Sequence, residues 1–253
     1  MTMTRWLTAL LILSLPVLVI GSASAGPAGA QHAVSVLELF TSQGCSSCPT
    51  ADALLRSYAS RPDIVALSLP VDYWDYLGWK DTLASPKFTH RQRAYAEERG
   101  DGRVYTPQVV VNGLVHVVGS RKDEIDRAIA ETSQQLASHR IELTARTDGN
   151  TINIEVGAMP AGSDMKGGTI WLAVVQPSVE VEIRRGENSG KKVTYANVVR
   201  DLTAIGMWSE KPTTIDLQQS AVLQEEGQRC AVLLQEGTVG PMVGASWVVG
   251  PMH

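Results

Sequence analysis

Residues 33–69 contain two short apolar runs, Ala33–Phe40 and Ile64–Leu69, on either side of a stretch in which Ala51, Leu54, Leu55 and Tyr58 recur at helical spacing. Runs of this length and apolarity suit strands buried on both faces, and the i, i+3, i+4, i+7 stripe is that of an amphipathic helix. Strand, helix, strand in so short a span predicts a right-handed parallel βαβ unit. The turn from the first strand into the helix is Cys45-Ser46-Ser47-Cys48-Pro49, which places two thiols three residues apart at the mouth of a helix. Few arrangements constrain both fold and chemistry so tightly.

The same reading carries on down the chain. Residues 70–103 form an insertion, with a helix predicted over about 86–99 because Ser85-Pro86 caps and opens it and Gly100 stops it. Two strands flank Asn112-Gly113, a hairpin signature. Ile125, Ala128, Ile129 and Leu136 then stripe a closing helix, with Ser120 and Asp123 spaced as a capping box. Residues 33–138 thus read as one α/β domain in the order βαβ, helical insertion, ββα. From Ile141 onwards, short strand-like runs separated by Gly- and Pro-bearing loops replace helical stripes, beginning with a hairpin at Asp148-Gly149. Residues 140–253 therefore read as a separate all-β, sandwich-like domain.

The first 30 residues stand apart. Arg5 precedes the fifteen-residue run Trp6–Ile20, which Pro16 interrupts, and Ala23-Ser24-Ala25 follows as a small-residue cleavage signal, with Ala28-Gly29-Ala30 as a second one. A bilayer span needs about 20 apolar residues, so residues 1–25 read as a signal peptide and the mature chain as exported, periplasmic or secreted, where disulfides persist. No other stretch is apolar enough to span a membrane. At 44% hydrophobic and 19% charged residues, the composition excludes collagen-like, disordered and disulfide-scaffold classes. A net charge of −4 gives no electrostatic reason to expect a nucleic-acid partner.

A disulfide exchanger needs an exposed thiolate of low pKa and a second thiol to resolve the mixed disulfide. Cys45, at a helix N-terminus where unpaired N–H groups favour a thiolate, fits the first role, and Cys48, one turn on and more buried, fits the second. Three other uses of the pair compete. It could be a structural staple, half of a zinc site lacking its second pair, or a soft-metal site for Cu(I) completed by a distant His or Met. The third cysteine, Cys230, lies in the apolar run Cys-Ala-Val-Leu-Leu and reads as an inert core thiol.

The element order with a C-x-x-C opening the first helix resembles the thioredoxin fold, and Thr106-Pro107-Gln-Val-Val-Val-Asn-Gly113 resembles the segment that carries the cis-proline of thioredoxin-like proteins. Three further segments, Glu38–Pro49, Val71–Lys80 and Arg184–Gly190, resemble a family of secreted bacterial thioredoxin-like proteins known only as a domain of unknown function. The resemblance implies a thioredoxin-like domain followed by a β-rich one, with a Cys45–Cys48 disulfide, Cys45 attacking, Cys48 resolving and Pro107 cis. The Thr106 backbone would then be free to pair with an extended substrate. Glu38 would stand near the buried acid that aids proton transfer. The Trp that usually precedes the first cysteine of thioredoxins is Gly44 here, and the Ser46-Ser47 dipeptide leaves the redox direction open.

The expected activity is thiol–disulfide exchange with protein thiols and disulfides and a redox partner protein, without a cofactor or metal. The alternatives are a copper-binding metallochaperone module on the same sulfurs and a non-catalytic interaction protein with a structural disulfide. Tyr73, Trp74, Tyr76 and Trp79 would form a substrate platform beside the dithiol, or else the insertion's own small core or its packing against the β domain. His90 and His116 are weaker candidates for proton transfer. Gly186–Lys192 superficially suggests a phosphate loop but leads into a strand, so it reads as a charged hairpin turn.

Overall fold

The computed structural model describes residues 35–250, so the segment read as a signal peptide lies outside the described residues. The first strand, β1 (Ser35–Thr41), is followed by α1 (Cys48–Ala59), β2 (Ile64–Pro70), α2 (Pro86–Glu98), β3 (Gln108–Val111), β4 (Val115–Val118) and α3 (Lys122–Gln135). A second run follows: β5 (Leu143–Asp148), β6 (Thr151–Val156), β7 (Gly168–Glu182), β8 (Lys192–Trp208), β9 (Thr213–Gln218), a short α4 (Gln219–Val222), β10 (Arg229–Glu236) and β11 (Met242–Trp247). None of the helices in the described residues is long and apolar enough to cross a membrane.

The expected fold, an α/β thioredoxin-like domain followed by a self-contained all-β sandwich, does not occur. The molecule is mostly β. One eight-stranded mixed sheet in the order β11-β10-β7-β8-β2-β1-β3-β4 runs through both halves of the chain, with a smaller sheet β5-β6-β9 beside it. The join is parallel pairing of β2 with β8 at Ser68 and Val198. Ser68 Oγ donates to the Ala196 carbonyl (2.9 Å) and Asn197 Nδ2 to the Ala66 carbonyl (2.8 Å). Asn197 takes a left-handed conformation (φ 49°) that bends β8 at the seam, and the short polar side chain of Asn tolerates it. The reason for the merger is elementary. Every residue of β2 is buried, and a buried strand cannot leave one edge of backbone N–H and C=O groups unpaired.

β7 continues across Pro177, the ladder stepping from Gln176–Val198 to Ser178–Ala196. β8 runs 17 residues, from Lys192 to Trp208.

Side-chain alternation sorts the core onto the two faces of the large sheet. Leu37, Leu39, Ile64 and Ala66 face α1 and α3 with Leu55 and Ile125. Val36, Phe40, Leu67 and Leu69 face α2 through Phe88 and Tyr95, a cluster that continues into Ala173, Val175, Ala231 and Leu233. The alternate residues of β7 and β10, Leu172, Val174, Val232 and Leu234, pack on β5 and β6. Cys230 is free and fully buried in that last cluster, where burial pushes its thiol up to about 12.

Candidate functional site

β1 and β2 run parallel, so the loops that leave their C-terminal ends meet at one edge of the sheet, joined there by the Val71 N–H donating to the Thr41 carbonyl (2.8 Å). The loop after β1 carries the cysteines, and the loop after β2 is the aromatic insertion. Cys45 and Cys48 are disulfide-bonded, their Cα atoms 5.4 Å apart. Two successive turns set this geometry, Cys45 N–H to Ser42 C=O and Cys48 N–H to Cys45 C=O, both 3.2 Å. α1 begins at Cys48 with Pro49 in its first turn, so Cys45 precedes the helix by a turn instead of opening it. Ser47 Oγ lies 3.4 Å from Cys45 Sγ.

Cys45 was expected to be exposed, and it is not: 3% of its surface is accessible, and none of Cys48's. Two segments cover it. From the insertion, Trp74 sits so close to Gly44 that a Cβ there would come within 3.1 Å of Trp74 Cβ, so a larger residue at position 44 would push against the cover. The Trp74 indole N–H donates to Thr106 Oγ1 (2.8 Å), so one side chain touches both the cysteine loop and the residue before Pro107. The Thr106–Pro107 peptide is cis. Trp79 Nε1 donates to Gln43 Oε1 (2.7 Å) and the Gln43 N–H donates to Asp81 Oδ2 (2.7 Å), which ties the loop to the insertion again. Burial raises the Asp81 pKa above the usual carboxylate range.

Of the four aromatic candidates, Tyr76 stands 77% exposed, stacked on Trp74 with ring centroids 6.5 Å apart. Tyr73 lies beside Trp74 with ring centroids 6.0 Å apart, both pack against the cluster of Phe40, Phe88 and Tyr95, and Trp79 packs with Ile183 and Tyr195. Three of the four aromatics therefore pack on the main core and the β7–β8 hairpin, and Tyr76 presents the exposed ring.

The second cover comes from the β7–β8 hairpin, more than 140 residues away in sequence. Asn188 is buried, and its carboxamide Nδ2 donates to the carbonyls of both Gln43 (2.9 Å) and Cys45 (2.8 Å). Lys191 Nζ donates to its Oδ1 (2.8 Å). Composition and spacing gave no reason to single out this residue.

Asp52 was missed as well. It lies four residues after Cys48 on the buried face of α1, and residues so spaced share one side of a helix. Its Oδ1 accepts from Thr41 Oγ1 (2.7 Å), while Oδ2 has no hydrogen-bond partner among the described residues. Desolvation by burial pushes its pKa up to about 8, and the nearby Asp81 charge adds to the rise. The signal was present in the sequence: an acid at i+4 on an otherwise apolar face.

Glu38 does not join this site. It faces the opposite side of β1, where Arg91 Nε donates to Oε1 (2.7 Å), Arg91 Nη2 to Oε2 (3.3 Å) and the Tyr95 hydroxyl to Oε2. Gln235 completes the network, accepting from Arg91 (2.9 Å) and donating to Tyr95 (2.8 Å). A buried, paired carboxylate on the α2 face is structural. His90 is exposed on α2, on that same side. His116 bonds Tyr105 (2.8 Å) and Asp101 (3.1 Å), and burial with the nearby Arg99 charge lowers its pKa. Neither histidine reaches the cysteines through any of these contacts. Among the described residues no group of three or more His, Cys, Asp or Glu side chains is arranged to hold a metal ion.

Fold and site together define a mixed-sheet protein whose Cys-x-x-Cys disulfide lies at the sheet edge beneath two covering segments. The chain belongs to the family described as a protein of unknown function, DUF1223, whose model matches residues 36–235. Among solved structures it is similar to the crystal structure of a protein from Agrobacterium tumefaciens determined by a structural genomics consortium. That chain is 36% identical, with a TM-score of 0.75 over 87% of this chain and 96% of the other. No curated protein matches.

Proposed function

We propose that this protein is an exported thiol–disulfide oxidoreductase or dithiol carrier working through Cys45 and Cys48. The observation that carries the reading is a disulfide whose second cysteine is followed, one helical turn along α1, by a buried carboxyl with one oxygen unpartnered among the described residues and a pKa raised by burial. The likeness of residues 38–49 and 106–113 to thioredoxin-like proteins supports it at the level of those motifs, independently of the fold.

In the oxidised form a substrate thiolate attacks Cys45 Sγ, the Cys45–Cys48 bond breaks, and Cys48 leaves as a thiolate. With its pKa near 8, Asp52 holds a proton at neutral pH and donates it to Cys48. A second substrate thiolate then attacks the mixed disulfide. The substrate departs oxidised, and two electrons stay on the Cys45–Cys48 dithiol. A redox partner protein removes them by the same exchange in reverse, so no organic cofactor is required. Run backwards, with Asp52 ionised, the carboxylate takes the Cys48 proton and the pair reduces a substrate disulfide. Trp74 and the exposed Tyr76 offer an apolar surface to side chains flanking the reacting sulfur, with Tyr73 and Trp79 supporting it.

The test is trapping. Cys48→Ser should accumulate mixed disulfides through Cys45 with proteins of the exported compartment, whereas Cys45→Ser should accumulate far fewer. If neither variant traps a partner, the reading is wrong.

A further inference from the structure

We infer that the tip of the β7–β8 hairpin is a clasp over the dithiol and that Asn188 is its catch, a positioning residue that controls access to Cys45. The inference rests on the exchange reading and concerns the regulation of that same site. An incoming sulfur must approach Cys45 Sγ from the side away from Cys48, along the bond that breaks. With 3% of Cys45 accessible, that approach is closed in the structure. Something must move before exchange can occur, and the contacts identify what.

The base of the hairpin is anchored: Ile183, Val193 and Tyr195 are buried together with Trp79 and Leu83 packed against them. The tip is different. Arg184, Arg185, Gly186, Glu187, Ser189 and Gly190 are all exposed, and Asn188 alone among them is buried, at 1%. Its two N–H groups hold the carbonyls on either side of Gly44, and its oxygen is held by Lys191. Gly186 and Gly190 have φ of 76° and 82°, so the tip turns on residues with the widest backbone freedom. Two neutral hydrogen bonds and one to an ammonium are an interaction of modest net strength, small enough for local opening without unfolding. Opening releases the Gln43 and Cys45 carbonyls and uncovers the sulfur, and closing protects the disulfide from adventitious thiols.

The experiment uses the full-length mature protein and follows reduction of Cys45–Cys48 by excess dithiothreitol, a probe that reads access without needing the physiological substrate. Asn188→Ala should be reduced roughly tenfold faster or more, by the loss of two hydrogen bonds. Asn188→Asp, equal in size but presenting oxygens to both carbonyls, should be at least as fast. Lys191→Met, at an exposed position that leaves the fold intact, should give a smaller acceleration at unchanged Tm. Ser189→Ala, which loses only a bond to the Arg184 carbonyl, should reduce at the wild-type rate. Wild-type rates in folded Asn188→Ala and Lys191→Met would overturn the clasp. So would acceleration that grows with urea in step with global unfolding, because the opening would then not be local. Failure of the trapping test would refute exchange while leaving these rates unaffected, so the two failures are distinguishable.

Discussion

Asp52→Asn isolates the most unusual group in the site. In the unfolded chain this carboxyl titrates near 3.8, and in the fold near 8. Below about pH 4 both states hold the proton and the residue leaves stability independent of pH. Between about 4 and 8 the folded state keeps a proton that the unfolded state has released, so each pH unit gained destabilises the fold by about 1.4 kcal/mol from this group alone. By pH 7 the accumulated cost is about 4 kcal/mol, and above pH 8, where both states are ionised, it stops growing. An asparagine keeps the bond from Thr41 to Oδ1 and removes the titration. Urea unfolding of the oxidised protein at pH 4.5, 6 and 7.5 measures the effect as a difference between wild type and variant, so the other ionisable groups largely cancel. The wild type should lose stability relative to Asp52→Asn steadily across that range, the gap widening by on the order of 3–4 kcal/mol. Parallel pH profiles would refute the burial argument and, with it, the proton store assigned to Cys48.

Two further variants probe the surroundings. Arg91→Met strands the buried Glu38 carboxylate and should cost about 3–5 kcal/mol in urea unfolding, with Glu38→Gln in the same chain restoring part of the loss. Dithiothreitol reduction of the folded Arg91→Met protein should proceed at the wild-type rate, because that ion pair lies across the sheet from α1; a changed rate would return Glu38 to the site. Tyr76→Ser should alter stability by less than about 0.5 kcal/mol, given its exposure. It should raise KM for protein substrates while sparing dithiothreitol reduction, and an unchanged KM would remove the platform.

Some elements were legible because their causes are local. The Asn112-Gly113 turn joins β3 to β4 with both residues at positive φ, as a tight hairpin demands, and Ser85-Pro86 opens α2 with the Ser85 side chain accepting from Lys87 N–H (3.3 Å). The Cys45–Cys48 pair needed only a spacing of three and a strand-to-helix turn. What was not legible depends on partners remote in sequence. Alternation tells which residues of β2 are buried but not that β8, some 130 residues later, will pair with its open edge, and so the chain read as two separate domains where one sheet spans both halves. Alternation puts Glu38 on the same face as Val36 and Phe40, but only the fold brings Arg91 of α2 there to pair with its charge. Cys45 was read as exposed because a disulfide exchanger needs an accessible attacking thiol, whereas the aromatic insertion and a distant hairpin close over its loop. The sequence by itself determined most of the elements and the paired cysteines, since periodicity, turn chemistry and thiol spacing act over a few residues. The tertiary structure alone decided the sheet's continuity, the burial that raises the Asp52 pKa and the cover on Cys45, because pairing, desolvation and burial exist only once distant segments meet.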